Sequence, residues 1–160
     1  MRKNSWWLVL SVIVVILDQV SKCYAVEYLH FGESLRVLPF FSLTISYNPG
    51  AAFSFLGTAG GWQVYLLTAI SLVMSVILLV WLLRFPSGYK IRALGVSLVL
   101  GGAVGNLIDR IRLNYVIDFL DFHLKTWHYP IFNLADTAIS IGAILLIWSF
   151  LFTKRYTPVN

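Results

Sequence analysis

Asp118 and Asp136 are the residues best placed to do chemistry, since neither has a basic residue within four positions on either side. The other acids are Asp18, Glu27, Glu33, Asp109 and Asp121, making seven in all. Two carboxylates held close cannot both ionise easily, so they share a proton near neutral pH. One then acts as general base on a water while its protonated partner polarises a carbonyl. This is two-carboxylate peptide hydrolysis, which requires no metal and no serine or cysteine nucleophile. A small proton-coupled carrier would use the same acids as a relay, and spacing alone does not choose between the two. Asp18 and Lys22 stand at i and i+4 with the acid first, the favourable order on a helix. Asp109 is followed by Arg110 and Arg112. These residues read as positioning or substrate-contact groups rather than as the reacting pair.

The elements that carry these acids are apolar. Of the 160 residues, 59% are hydrophobic and 12% charged, with a mean hydropathy of +0.80. Soluble domains carry about twice that charged fraction, so the composition places the chain in a membrane. The net charge of +5 does not indicate nucleic acid, because the basic residues mark the ends of apolar runs instead of forming a stripe. A single cysteine, Cys23, excludes an intrachain disulfide, and His30, His123 and His128 lack metal-ligand spacing. Their expected role is packing at the interface or in loops.

Crossing a hydrocarbon core of roughly 30 Å takes about 20 apolar residues. Four segments qualify, at about 5–26, 62–83, 93–110 and 133–152. The first begins like a signal peptide but has Asp18 and Lys22 where a cleavage site would lie, and is expected to remain as a helix. Lys22, not a small residue, stands immediately before Cys23, so the chain is not expected to be a lipoprotein itself. Arg2, Lys3, Arg84, Lys90, Arg92, Lys154 and Arg155 share one side, while all seven acids gather on the other. By the positive-inside rule both termini are expected in the cytoplasm. At 1.5 Å per residue, Asp18 lies roughly 22 Å beyond Lys3, Asp109 roughly 25 Å beyond Arg92, and Asp136 roughly 27 Å before Lys154. Three helices thus bring a carboxylate to one depth, near the outer edge, and Asp118 follows closely enough to join them. A carboxylate at membrane depth costs about 3 kcal/mol on insertion scales and is a functional candidate by default.

Two outer segments complete the organisation, in what is expected to be a single domain. Residues 34–58 are β-rich, with Leu43-Thr-Ile-Ser-Tyr47 alternating as a half-buried strand does and Asn48-Pro49-Gly50 forming a turn. Residues 118–130 mix aromatic with basic and histidine side chains, a composition that predicts a short interfacial helix. The expected fold is therefore an all-α membrane protein of four transmembrane helices with a small extracytoplasmic β-sheet. Residues 48–61, with four glycines, are expected to be mobile, and Gly50-Ala51-Ala52 to let the sheet approach substrate closely.

Five polar blocks resemble those of lipoprotein signal peptidase, or signal peptidase II, the aspartic protease of bacterial inner membranes. They are Asp18-Gln-Val-Ser-Lys22, Asn48-Pro-Gly-Ala-Ala-Phe53, Gly101-Gly-Ala-Val-Gly-Asn-Leu-Ile-Asp-Arg110, Val116-Ile-Asp-Phe119 and Phe132-Asn-Leu-Ala-Asp136. All occur in the family's order. The resemblance implies that Asp118 and Asp136 are the catalytic pair. It also implies that Asn106, Asp109, Arg110 and Asn133 line the site, with Asn48, Gly50, Asp18 and Lys22 near the pocket. The implied substrate is a diacylglyceryl-modified prolipoprotein, cut just before its lipidated cysteine. The implied site lies near the periplasmic face, among membrane lipids, with no cofactor. A monomer is expected, since four spans suffice to enclose the site. Two other readings remain at this point: the carrier, and a non-enzymatic assembly subunit whose acids bind a partner helix.

Overall fold

The computed structural model describes residues 6–50, 61–85 and 88–152. Four helices long and apolar enough to cross a membrane account for most of them. They are α1 (Trp7–Tyr28), α2 (Trp62–Arg84), α3 (Lys90–Leu113) and α4 (Leu134–Phe152). Each overlaps one of the four apolar runs, with ends shifted by up to three residues.

The burial pattern of α1 is inverted relative to a soluble helix. Its buried residues are Ser11, Asp18, Lys22 and Ala25, a stripe on one face. Val9, Val12, Ile13, Ile16, Leu17 and Val20 all point outward. Such a helix is stable only in an apolar solvent, where the polar stripe has to find its partners inside the bundle.

Helix α3 supplies those partners from the centre of the bundle, packing on α1, α2 and α4. Lipid is as apolar as leucine, so close van der Waals fit and polar contacts hold membrane helices together. Glycine permits the fit. A methyl group at Gly102 would run into the Ala135 carbonyl, and one at Gly105 would lie 2.6 Å from Asp18 Oδ2. Both α2 and α4 lean on α3 rather than chiefly on each other, which leaves room for a groove between them.

A four-stranded antiparallel sheet sits at the end of the bundle where α1 and α3 finish and α4 begins. Its strands are β1 (Ser34–Leu38), β2 (Phe41–Asn48), β3 (Val116–Leu124) and β4 (Trp127–His128), in that spatial order. Ala25 of α1 and Leu29 just after it pack with Ile45, Ile117 and Phe119 beneath it. At the end of α3, Asn114 takes a left-handed conformation (φ 65°), closes the helix with an N–H to the Arg110 carbonyl, and turns the chain into β3.

The short helix expected within 118–130 is not formed; these residues make a β-hairpin. Composition indicated an interfacial location but not a backbone state. Val116-Ile-Asp-Phe119 is β-branched and aromatic, and cross-strand pairing decides the rest. Phe122 pairs with Phe41 at 4.8 Å between ring centroids, and Leu124 pairs with Trp127 across the turn at Lys125 and Thr126, with Lys125 at φ 56°. The expected β-rich segment 34–58 is realised as β1 and β2 up to Asn48. Residues 51–60, including Ala51 and Ala52 and most of the segment expected to be mobile, lie outside the described residues.

Candidate active site

Asp118 enters the site from β3. In the register Ser46 stands opposite Asp118 and Asn48 opposite Val116, so Asn48 and Asp118 are diagonal neighbours on one face. Asn48 Nδ2 donates to Asp118 Oδ2 at 3.0 Å. The Asn48 amide cannot turn freely, because its Oδ1 accepts the Gly50 N–H at 2.9 Å. The chain returns to the same place at Phe132, whose carbonyl accepts the N–H groups of Phe119 and Leu120. The next residue, Asn133, is fully buried and donates through Nδ2 to Asp118 Oδ1 at 2.7 Å.

Asn133 also starts α4. Its Oδ1 accepts the Asp136 N–H at 2.9 Å, while Asp136 Oδ2 accepts the Asn133 N–H at 3.3 Å. This reciprocal pair is a capping box with Asn and Asp in place of the usual Ser/Thr and Glu/Gln. The residue that caps α4 therefore holds both carboxylates. The second Asp136 oxygen, Oδ1, accepts Asn106 Nδ2 at 2.8 Å. Burial pushes the Asp118 carboxyl up to about 7, with the Asp136 charge adding to the rise and the N–H groups of Asn48 and Asn133 opposing it.

Behind the pair lies a buried ion cluster. Lys22, 2% exposed, places Nζ 2.8 Å from Asp18 Oδ2 and 2.8 Å from Asp109 Oδ2. Asp18 Oδ1 accepts the Ala135 N–H in the first turn of α4, a position favourable to an anion. Asp109 also accepts the Ile117 N–H and Gln19 Nε2. The carboxylates flanking Lys22 thus meet N–H donors from α4, β3 and α1 itself.

A cavity of about 530 Å³ opens beside Asp118 and Asp136. Asn48, Asn106 and Arg110 line its head, and Arg110 Nη2 donates to the Gly50 carbonyl at 3.2 Å. From there it follows α4 past Thr137, Ser140 and Ile144, with Ser71 of α2 on the opposite wall. Asp136 to Ile144 is about 12 Å of helix. Two carboxylates, of which Asp118 has a raised proton affinity, at the head of an apolar groove fit a site for an extended apolar chain with a reactive carbonyl.

Comparisons with known proteins agree with this geometry. The family model for signal peptidase (SPase) II matches residues 10–152. The chain is 50% identical over 157 residues to the lipoprotein signal peptidase of Coxiella burnetii, covering 98% of this chain and 96% of that one. It is 45% identical over 157 residues to the lipoprotein signal peptidase of Acinetobacter baumannii, covering 98% and 89%. A bacterial membrane enzyme solved by the in meso method at 2.3 Å superposes with a TM-score of 0.83 at 31% identity, covering 98% and 95%. The chain belongs to the signal peptidase II family. As a member it is a protease, and with four spans it is a multi-pass protein of the bacterial inner membrane.

Seen as a signal peptidase II, the chain gathers the residues singled out in its sequence at one end of the bundle. Asn48, Asn106, Arg110, Asp118 and Asp136 line the cavity, Asn133 joins the two aspartates from behind, and Gly50 contributes a carbonyl. Asp18, Lys22 and Asp109 lie one layer deeper. The cation paired with Asp109 is Lys22 from α1 and not its sequence neighbours Arg110 or Arg112. Gln19 had not stood out, yet its amide reaches both Asp18 and Asp109. Its signal was a polar residue beside Asp18 in an apolar helix. Thr137 and Ser140 were missed as groove residues for want of reading them on the Asp136 face. Two of the three histidines lie on the sheet, where His128 contacts Asp121 at 2.8 Å and His123 contacts Ser42 at 3.0 Å, and His30 lies in the connection between α1 and β1.

Proposed function

We propose that this protein is an aspartic endopeptidase that removes the signal peptide from diacylglyceryl-modified prolipoproteins, cutting just before the lipidated cysteine. The observation that carries the reading is the placement of Asp118 and Asp136, from a strand and a helix start, on a single asparagine at the head of an apolar groove. One aspartate removes a proton from water as its oxygen attacks the scissile carbonyl carbon. The other donates its proton to the carbonyl oxygen, giving a neutral diol. On collapse the leaving nitrogen takes a proton from the first aspartate, and the second regains its own. The groove along α4 suits an apolar signal segment, while the acyl chains remain in lipid. In this reading both termini face the cytoplasm, the pair lies toward the periplasmic face, and the enzyme acts as a monomer.

The test is cleavage of a purified diacylglyceryl-modified precursor in detergent by wild type, Asp118→Asn and Asp136→Asn, with unmodified precursor as control. Cleavage of the lipidated form alone, at the bond just before the modified cysteine, and none by either folded variant is expected. Cleavage by a folded variant would remove that aspartate from the chemistry, and equal cleavage of both precursors would remove the lipid requirement.

A further inference from the structure

We propose that Lys22 is a positioning residue for the aspartate pair, acting through the Asn106 amide to hold an N–H on Asp136 and so to keep the shared proton on Asp118. The inference rests on the two-aspartate reading above and adds an assignment of roles within it.

An ammonium group has three N–H donors and no acceptor. Two of those on Lys22 meet the carboxylates of Asp18 and Asp109, and the third goes to Asn106 Oδ1 at 3.1 Å. A side-chain amide has one accepting and one donating end, and the surroundings of a buried amide decide which faces which way. Beside Lys22 only the oxygen fits, and Asn133 Nδ2 points at the same oxygen from 3.2 Å. The donating end is then left on Asp136 Oδ1, at 2.8 Å. Turned over, the amide would set N–H against ammonium and bring two oxygens together at Asp136. A cation on α1 thereby determines which group Asp136 meets, although Lys22 makes no hydrogen bond to either aspartate.

The two aspartates differ in their remaining surroundings. Asp136 sits in the first turn of α4 and accepts a backbone N–H there, where the helix field favours an anion. Asp118 sits on a strand, and its donors are the side-chain amides of Asn48 and Asn133. The charged groups around the pair are Asp18 and Lys22 from α1 and Asp109 and Arg110 from α3. Arg110 lines the cavity with both aspartates. Asp18 and Asp109 are tied to Lys22 and to backbone N–H groups. Four carboxylates against two cations leave the cluster short of positive charge, and one proton on the pair reduces that deficit. Burial raises the proton affinity of Asp118 to about 7, in the same direction. Asp136 is then the base that takes the proton from water, and Asp118 the acid that protonates the carbonyl oxygen.

Exchanging Asp18→Asn together with Lys22→Met removes one buried charge of each sign, and Asp109 keeps its bonds from Gln19 and Ile117. Asp18→Asn alone is the control. Relative to that control, kcat on a lipidated precursor should fall about tenfold to a hundredfold with KM little changed, the size expected when a reacting group is misplaced. The acid limb of the kcat–pH profile should move to higher pH, because a cation that favoured the ionised pair is gone. In an Asn106→Leu background the same exchange should cost nothing further, since the relay is already broken. A kcat equal to the control, a change in KM alone, or an undiminished loss in the Asn106→Leu background would overturn the relay. Should the exchanged protein not fold, Asn106→Asp is decisive, because it keeps an oxygen for Lys22 and loses the donor to Asp136. It should lose as much as Asn106→Leu, and wild-type kcat in Asn106→Asp would overturn the proposal. Activity in Asp118→Asn or Asp136→Asn would instead bring down the two-aspartate reading itself, so the two failures are distinguishable.

Discussion

Replacing Asn133 by serine separates two jobs that one side chain does. Its oxygen caps α4 through the Asp136 N–H, and its Nδ2 donates to Asp118 Oδ1 at 2.7 Å. Serine is as good an N-cap as asparagine, whereas alanine costs about 1 kcal/mol at such a position. Serine lacks the reach and the second hydrogen to serve Asp118, so among the described residues that carboxyl keeps only the bond from Asn48. A hydrogen bond to a charged group is worth about 1.5–3 kcal/mol, and each 1.36 kcal/mol is tenfold in rate. Asn133→Ser should therefore melt close to wild type in detergent while its kcat falls about tenfold to a hundredfold. Asn133→Ala should lose the same activity and also lower Tm by about 3 °C or more. The pH profile gives a second check. An N–H bond favours the ionised carboxylate, so removing it raises the proton affinity of Asp118 beyond about 7. The limb at which the pair loses its shared proton should move to higher pH. Wild-type kcat in a folded Asn133→Ser protein, or an unmoved alkaline limb, would refute the role given to this asparagine.

Two further outcomes follow from the same geometry. The Asp118 carboxyl lies at about 7 in the folded protein against an ordinary value of 3.8. The native state therefore holds that proton more tightly, a contribution present below 3.8 and lost as pH rises through about 7. Thermal stability in detergent should decline across that window for wild type and less steeply for Asp118→Asn, and parallel curves would show that Asp118 is not buried as described. Gly102→Leu should destabilise the bundle by about 1–3 kcal/mol or more, because its Cβ would meet the Ala135 carbonyl and its side chain would meet Ile139. An unchanged Tm would mean that α3 and α4 do not approach at that point.

The helices were legible because their cause is local. An uninterrupted apolar run is itself the signal for a span, and the run from Trp62 to Leu83 became α2 with one residue added. Asp118 and Asp136 were legible because they stand away from any basic neighbour. The partner of Asp109 was not, since a one-dimensional reading offered Arg110 and Arg112 first and Lys22 is 87 positions away. The hairpin from Phe122 to His128 was misread for a related reason. Its aromatic and basic composition identifies an interface equally well for a helix or a strand, and pairing with Phe41 from a distant segment decides between them.

The arrangement of donors explains why the polar residues of the site are mostly amides and short acids. In a hydrocarbon surrounding, a carboxylate has to find hydrogen bonds within the protein, and every lysine or arginine brought in to neutralise it carries its own desolvation cost. Here one lysine is shared by Asp18 and Asp109, and the remaining oxygens meet N–H groups of α4, β3 and Gln19. Asp118 and Asp136 make no ion pair among the described residues, only amide bonds. A direct cation on either would hold it ionised and remove the shared proton that the reaction uses. Keeping Lys22 one amide away lets the bundle contain the charge it needs for assembly without silencing the two carboxylates beside the groove.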